Sequence, residues 1–332
     1  MNDDPGFFET LLGDGRPLFA VVAFALAASG GFVIFQAATG QFLPQDVAFL
    51  GMTSQQLCML HGCRIVHFMI HDRVSFGGVL IAIAVMYLWL SEVPLKRGES
   101  WAWWALAASG GAGFLSFLAY IGYGYLDSWH GAATLVLLPV FLAALWRTRA
   151  LRAVHAPLPA PGGRHRIGRW LLLGATAGIV AAGCTIATVG ATSVFVPTDL
   201  QFIGATRADI RAVNAHLVPL IAHDRAGFGG ALVSCGVAMF FAVLRGRPSK
   251  SLWQALATAG AFGFAAAIGV HPIIGYTNAM HLAPAVAGAL VFVSGLAASS
   301  SPASSARWRE SSRRSTPGSS PAAASPSAGG AP

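Results

Sequence analysis

Ionisable residues set in apolar sequence are costly to bury and mark sites of chemistry by default. This chain carries one such cluster twice. Residues 71–78 read His-Asp-Arg-Val-Ser-Phe-Gly-Gly, and residues 223–230 read His-Asp-Arg-Ala-Gly-Phe-Gly-Gly. A second histidine follows each copy at a nearly constant distance, His130 in the first half and His281 in the second. An imidazole can ligate a metal or move a proton near neutral pH. The plainer reading of any one of these residues is a structural hydrogen bond to a neighbouring helix. An equivalent pair in each half favours ligation, with His71, His130, His223 and His281 as the candidate metal ligands. Asp72, Arg73, Asp224 and Arg225 beside them are candidate catalytic groups. They are placed to pair with one another, with an outer loop or with an acidic substituent of a cofactor. His67 lies one turn before His71 on the same helix face and competes as ligand or proton carrier. His216 lies two turns before His223 and could do the same, though neither His67 nor His216 has a counterpart in the other half.

The elements that hold these residues are membrane spans. Of 332 residues, 55% are hydrophobic and 10% are charged, against about 25% charged in a soluble domain. A helix needs about 20 mainly apolar residues to cross the hydrocarbon layer. Eight segments qualify: 17–38, 67–90, 101–123, 127–147, 169–190, 217–244, 252–274 and 277–298. The N-terminal residues are acidic and the first apolar run is long, which argues for a retained span rather than a cleaved signal. With both termini inside, 16 of the 21 Lys and Arg residues fall on the inner side, as the positive-inside rule expects. The net charge of +8 then answers to anionic lipid, and no nucleic-acid partner is implied. No Gly-rich phosphate loop or Ser-His-Asp arrangement is present.

The two halves match well beyond the histidines. Phe-Leu-Pro-Gln-Asp-Val-Ala-Phe-Leu-Gly-Met-Thr at 42–53 pairs with Phe-Val-Pro-Thr-Asp-Leu-Gln-Phe-Ile-Gly-Ala-Thr at 195–206. Gly110 pairs with Gly260, and Gly124-Tyr125 with Gly275-Tyr276. Four spans per half is even, so the repeats are parallel. The expected fold is all-α and integral to the membrane, with two tandem four-helix bundles and both termini inside. Its parts are an inner arm at 1–16, repeats at 17–147 and 169–298, a basic inner linker at 148–168 and a disordered tail at 299–332. Asp46 and Asp199 are expected to cap short loop helices; a bond to Arg73 and Arg225 is the other role open to them.

Within each bundle the two histidines fall at one depth, near the outer end of spans that run the same way. That is the geometry of a bis-histidine haem, with His71 facing His130 and His223 facing His281. The Gly77-Gly78 pair makes room for a neighbouring helix or a flat ligand. Zinc or copper at Cys58, His61, Cys63 and His67 is a competing reading, confined to the first half. Cys58 and Cys63 lie on the oxidising side, where they are either a disulfide or free thiols.

This layout resembles the haem A synthases, membrane enzymes of eight spans in two four-helix halves. The resemblance covers about 17–298 and rests on the positions of His71 (with Arg73 two residues on), His130, His223 and His281, and on the Cys58/Cys63 loop. It implies one or two haem b groups, oxidation of a haem or electron transfer with quinone or a redox partner, and a cytoplasmic-membrane location. That family's pattern has a glutamate three residues before the first-half histidine; Phe68 stands there. The competing functions are a proton-coupled transporter and a non-catalytic scaffold or sensor using the outer His-Asp-Arg clusters.

Overall fold

A computed structural model of the chain describes residues 12–116, 125, 127–152 and 163–299. Most of the expected inner arm, the end of the third expected span, much of the linker and nearly all of the tail lie outside the described residues.

The described residues form helices. α1 (Arg16–Ala38) leads through the short α2 (Pro44–Leu50) and α3 (Ser54–His61) to the long α4 (Arg64–Glu92), then α5 (Ser100–Ser116) and α6 (Ser128–Thr148). The order recurs as α7 (Gly163–Ala191), α8 (Pro197–Ile203), α9 (Arg207–Val213), α10 (Leu217–Arg245), α11 (Lys250–Ile274) and α12 (Ala279–Ser299). Seven helices are long and apolar enough to cross a membrane, as a helical membrane protein requires. α5 ends its described part at 17 residues, short of that length.

The helices start and stop where local chemistry dictates. Pro17 opens α1, a position where its missing N–H costs nothing. The Ser249 hydroxyl accepts from the Leu252 N–H at 3.2 Å to begin α11, and Gly275 at φ 77° ends it.

α4 and α10 lie at the centre. In their apolar windows 72% and 67% of residues are buried, against 17–28% in the other candidate spans. The outer helices present large apolar side chains outward, among them Phe24, Phe35, Leu135 and Leu290. Exposed Trp104, Trp146, Trp170 and Trp253 gather at the opposite end from the histidines. There the Arg149 guanidinium sits 3.6 Å over the Trp146 ring.

The expected pair of separate four-helix bundles is corrected here. α4 packs on α1 of its own half but also on α11 of the other half. α10 packs on α7 of its own half and on α5 of the first. The Gly-Gly pair of each cluster explains the exchange. A Cβ on Gly77 would strike Gly30 and Ile34 of α1, and one on Gly78 would strike Ala266 and the Phe262 carbonyl of α11. Gly229 likewise faces Ala187 of α7, and Gly230 faces Ser116 of α5. Where helix association has no hydrophobic drive, small residues decide which backbones approach closely. One glycine of each pair therefore admits the helix of its own half, and the next admits a helix of the other.

Candidate metal centre

The repeated loop supplies the floor of the site. In both halves proline starts a short helix, and the aspartate two residues on accepts from the backbone N–H before it: Leu43 N to Asp46 at 3.3 Å, Val196 N to Asp199 at 2.8 Å. Each aspartate also takes a tyrosine hydroxyl, Tyr125 at 2.6 Å and Tyr276 at 2.8 Å. The loop phenylalanine packs on that tyrosine, with Phe49 and Tyr125 centroids 4.3 Å apart and Phe202 and Tyr276 centroids 4.4 Å apart. Gly51 and Gly204 end the short helices at φ 67° and 74°. Thr53 and Thr206 cap the next ones. The expected capping role of Asp46 and Asp199 and their bond to the arginines hold together.

Above this floor the arginines cross between halves. Arg73 on α4 bonds Asp46 at 2.8 Å and Asp224 of α10 at 2.9 Å. Arg225 on α10 bonds Asp199 at 2.6 Å and Asp72 of α4 at 3.1 Å, and donates to the Val194 carbonyl at 2.7 Å. Asp72 and Asp199 are almost wholly buried.

The histidines meet across the same exchange. His71 of α4 joins His271 of α11 and His281 of α12, with candidate ligand atoms all within 4.8 Å of one another. The Nδ1–H of His71 donates to Asp72 Oδ1 at 2.8 Å, and that of His271 to the Tyr276 carbonyl at 2.8 Å. The Tyr276 hydroxyl donates to Asp199, so its oxygen accepts from His281 Nδ1 at 2.9 Å. These tautomers follow from the partners. They leave the Nε2 lone pair of each ring uncommitted, and those of His71 and His271 face each other at 3.2 Å. Two lone pairs meet at that distance only around a cation or a shared proton. A metal-ligating histidine characteristically donates its other N–H to a carboxylate, carbonyl or comparable acceptor, and all three do so here.

The second group is Asp127, His130 of α6 and His223 of α10. His130 Nδ1 lies 2.7 Å from Asp127 Oδ2 and 3.2 Å from His223 Nε2. A cavity of about 60 Å³ adjoins this group, with Phe32 and Phe76 among its walls.

The pairs His71–His130 and His223–His281 expected from the sequence are thereby corrected. His71 is grouped with second-half histidines, and His223 with first-half residues. The cause is the docking of the third helix of each half against the other half's central helix, while the fourth helix packs on the third and on the first helix of its own half. The arrangement does not fit a haem. A macrocycle must pass between its axial imidazoles, but His71 and His271 are in contact, with centroids 4.6 Å apart. The 60 Å³ cavity is also far below the roughly 300 Å³ of a cofactor-sized pocket.

Of the candidate catalytic residues, Asp72, Arg73, Asp224 and Arg225 join the network. His67 is half-buried on α4 and belongs to neither histidine group. His216 stacks on Phe49 with centroids 4.5 Å apart and serves packing. Cys58 and Cys63 are joined in a disulfide, which removes them from any zinc or copper cluster; the side chain of His61 lies outside the described residues. Sequence reasoning gave His271, Asp127, Tyr125 and Tyr276 no role. The repeated Gly-Tyr step held a signal for the tyrosines. His271 aligns with Tyr120 and Asp127 with Asn278, so a search for equivalent pairs passes over both.

Burial, and then the adjacent aspartate, raise the pKa of Tyr125 and Tyr276 above the ordinary tyrosine range. A raised pKa means that their contribution to stability is full below the unfolded value of about 10. It is lost as pH rises from there toward the folded values. In an alkaline titration these two hydroxyls are expected to ionise late, in step with unfolding. Replacing both with Phe should reduce the amplitude of that late step; an unchanged amplitude would contradict the assignment.

No protein family, curated protein or solved structure matches this chain.

Proposed function

We propose that this chain is a multi-pass membrane metalloprotein that binds a first-row transition metal ion, copper or zinc, through Nε2 of His71, His271 and His281. The observation that carries this reading is the 3.2 Å approach of two Nε2 atoms whose Nδ1–H groups are both engaged. Ligands bonded to one ion at about 2.0–2.2 Å lie roughly 3.0–3.4 Å apart, and three imidazoles suit copper and zinc. Copper would make the protein a redox carrier; zinc would give a site without electron transfer. The fold is proposed as eight spans from a parallel duplication in the cytoplasmic membrane, with the histidines at the outer face and both termini inside. The basic residues at the other end support that orientation.

The test is metal content and the absorption and electron-spin spectra of the full chain in detergent, reconstituted with Cu²⁺ or Zn²⁺. The wild type is expected to retain ion through dialysis. His271→Ala should lower the affinity of this site by more than the roughly 10–100-fold that loss of a supporting hydrogen bond causes. Unchanged affinity in His271→Ala would overturn the proposal. So would a Soret band that disappears in His71→Ala.

A further inference from the structure

We propose that Asp127, His130 and His223 form a second metal site, and that its free coordination positions face the adjoining cavity and accept a small exogenous ligand. This goes beyond the three-histidine site and stands on different residues.

The donor set comes first. Two imidazoles and one carboxylate occupy one face of an ion and leave other positions open, the arrangement of non-haem iron and of hydrolytic zinc sites. Asp127 Oδ2, His130 Nδ1 and His223 Nε2 are separated by 2.7 Å and 3.2 Å along the chain of contacts, close to the spacing of neighbouring ligands on one ion. The other oxygen of Asp127 accepts from Gln45 Nε2 at 3.1 Å, which fixes the carboxylate as supporting bonds do for ligands.

Charge points the same way. Among the described residues Arg73 is bonded to both Asp46 and Asp224, and Arg225 to both Asp72 and Asp199, so each guanidinium serves two carboxylates. Buried carboxylates in excess of their cations are strongly disfavoured; bound metal ions redress that excess.

The cavity separates the two sites in kind. The three-histidine group packs against Tyr276, whose ring stacks on His281 with centroids 4.3 Å apart, and none of its residues lines that cavity. The second group borders open space of about 60 Å³, enough for a few waters. The ligand class is therefore water or hydroxide, or a diatomic or triatomic molecule, entering between α1, α4 and α10.

The experiment uses the full chain in detergent, Co²⁺ as spectroscopic metal and azide as the small ligand. The wild type is expected to bind two Co²⁺ per chain. His271→Ala should keep an ion whose d–d bands shift with azide. His130→Ala should keep an ion whose bands do not. Asp127→Asn is nearly isosteric and guards against simple unfolding; it should weaken the azide-sensitive site by about tenfold or more while elution and helical circular dichroism match the wild type. One ion per chain, lost in His271→Ala, would overturn the second site and leave the first. An azide shift in His130→Ala identical to that in His271→Ala would overturn it too. Absence of any bound ion would overturn both sites.

Discussion

Replacing Arg225 with Met is expected to destabilise the protein by about 3–5 kcal/mol, the cost of removing one partner from a buried ion pair. Arg225 is bonded to Asp72 and Asp199, whose side chains are 2% and 0% exposed. Without the guanidinium both carboxylates remain in a medium that does not solvate them. The damage should reach the metal, because Asp72 also orients His71 through a 2.8 Å bond. Adding Asp72→Asn to Arg225→Met should recover part of the loss, since the orphaned charge is gone. Arg16→Met is the contrast. Its partners Asp14 and Glu92 are 36% and 46% exposed, and such pairs contribute about 0–1 kcal/mol. Thermal unfolding in detergent compares the variants. A midpoint for Arg225→Met equal to that of Arg16→Met would refute the role given to the crossed arginines.

Gly78→Val should be damaging by another route. The added side chain meets Ala266 and the Phe262 carbonyl of α11, and a backbone cannot turn aside as a flexible side chain does. Overpacking of this kind costs about 1–3 kcal/mol or more. α11 carries His271 and α4 carries His71, so their separation should abolish metal binding by the three histidines before the chain unfolds. Gly111→Ala is the matched control. A Cβ there meets nothing within 4 Å, and a helical Gly→Ala change is expected to gain about 0.5–1 kcal/mol. If Gly78→Val bound metal at the three-histidine site as well as Gly111→Ala does, glycine-directed docking would be wrong.

Much of this arrangement is written locally. The apolar runs mark the helices to within a few residues, since helix length against lipid is a property of one segment. The loop residues Pro44, Asp46, Gly51 and Thr53 and their counterparts announce caps, because capping acts over three or four residues. The charged residues of the clusters are conspicuous because nothing around them is polar. Which histidine meets which is another matter. His71 and His271 are 200 residues apart, and His271 has no matching histidine in the other half. Their meeting depends on two adjacent glycines facing different helices, a choice between equally apolar neighbours that no periodicity encodes. The sequence alone determined the seven long apolar helices, the repeated loops and the residues able to ligate. Only the tertiary structure decided that each histidine group is shared between halves, because close backbone contact, and not local pattern, selects partners among helices that lipid solvates equally well.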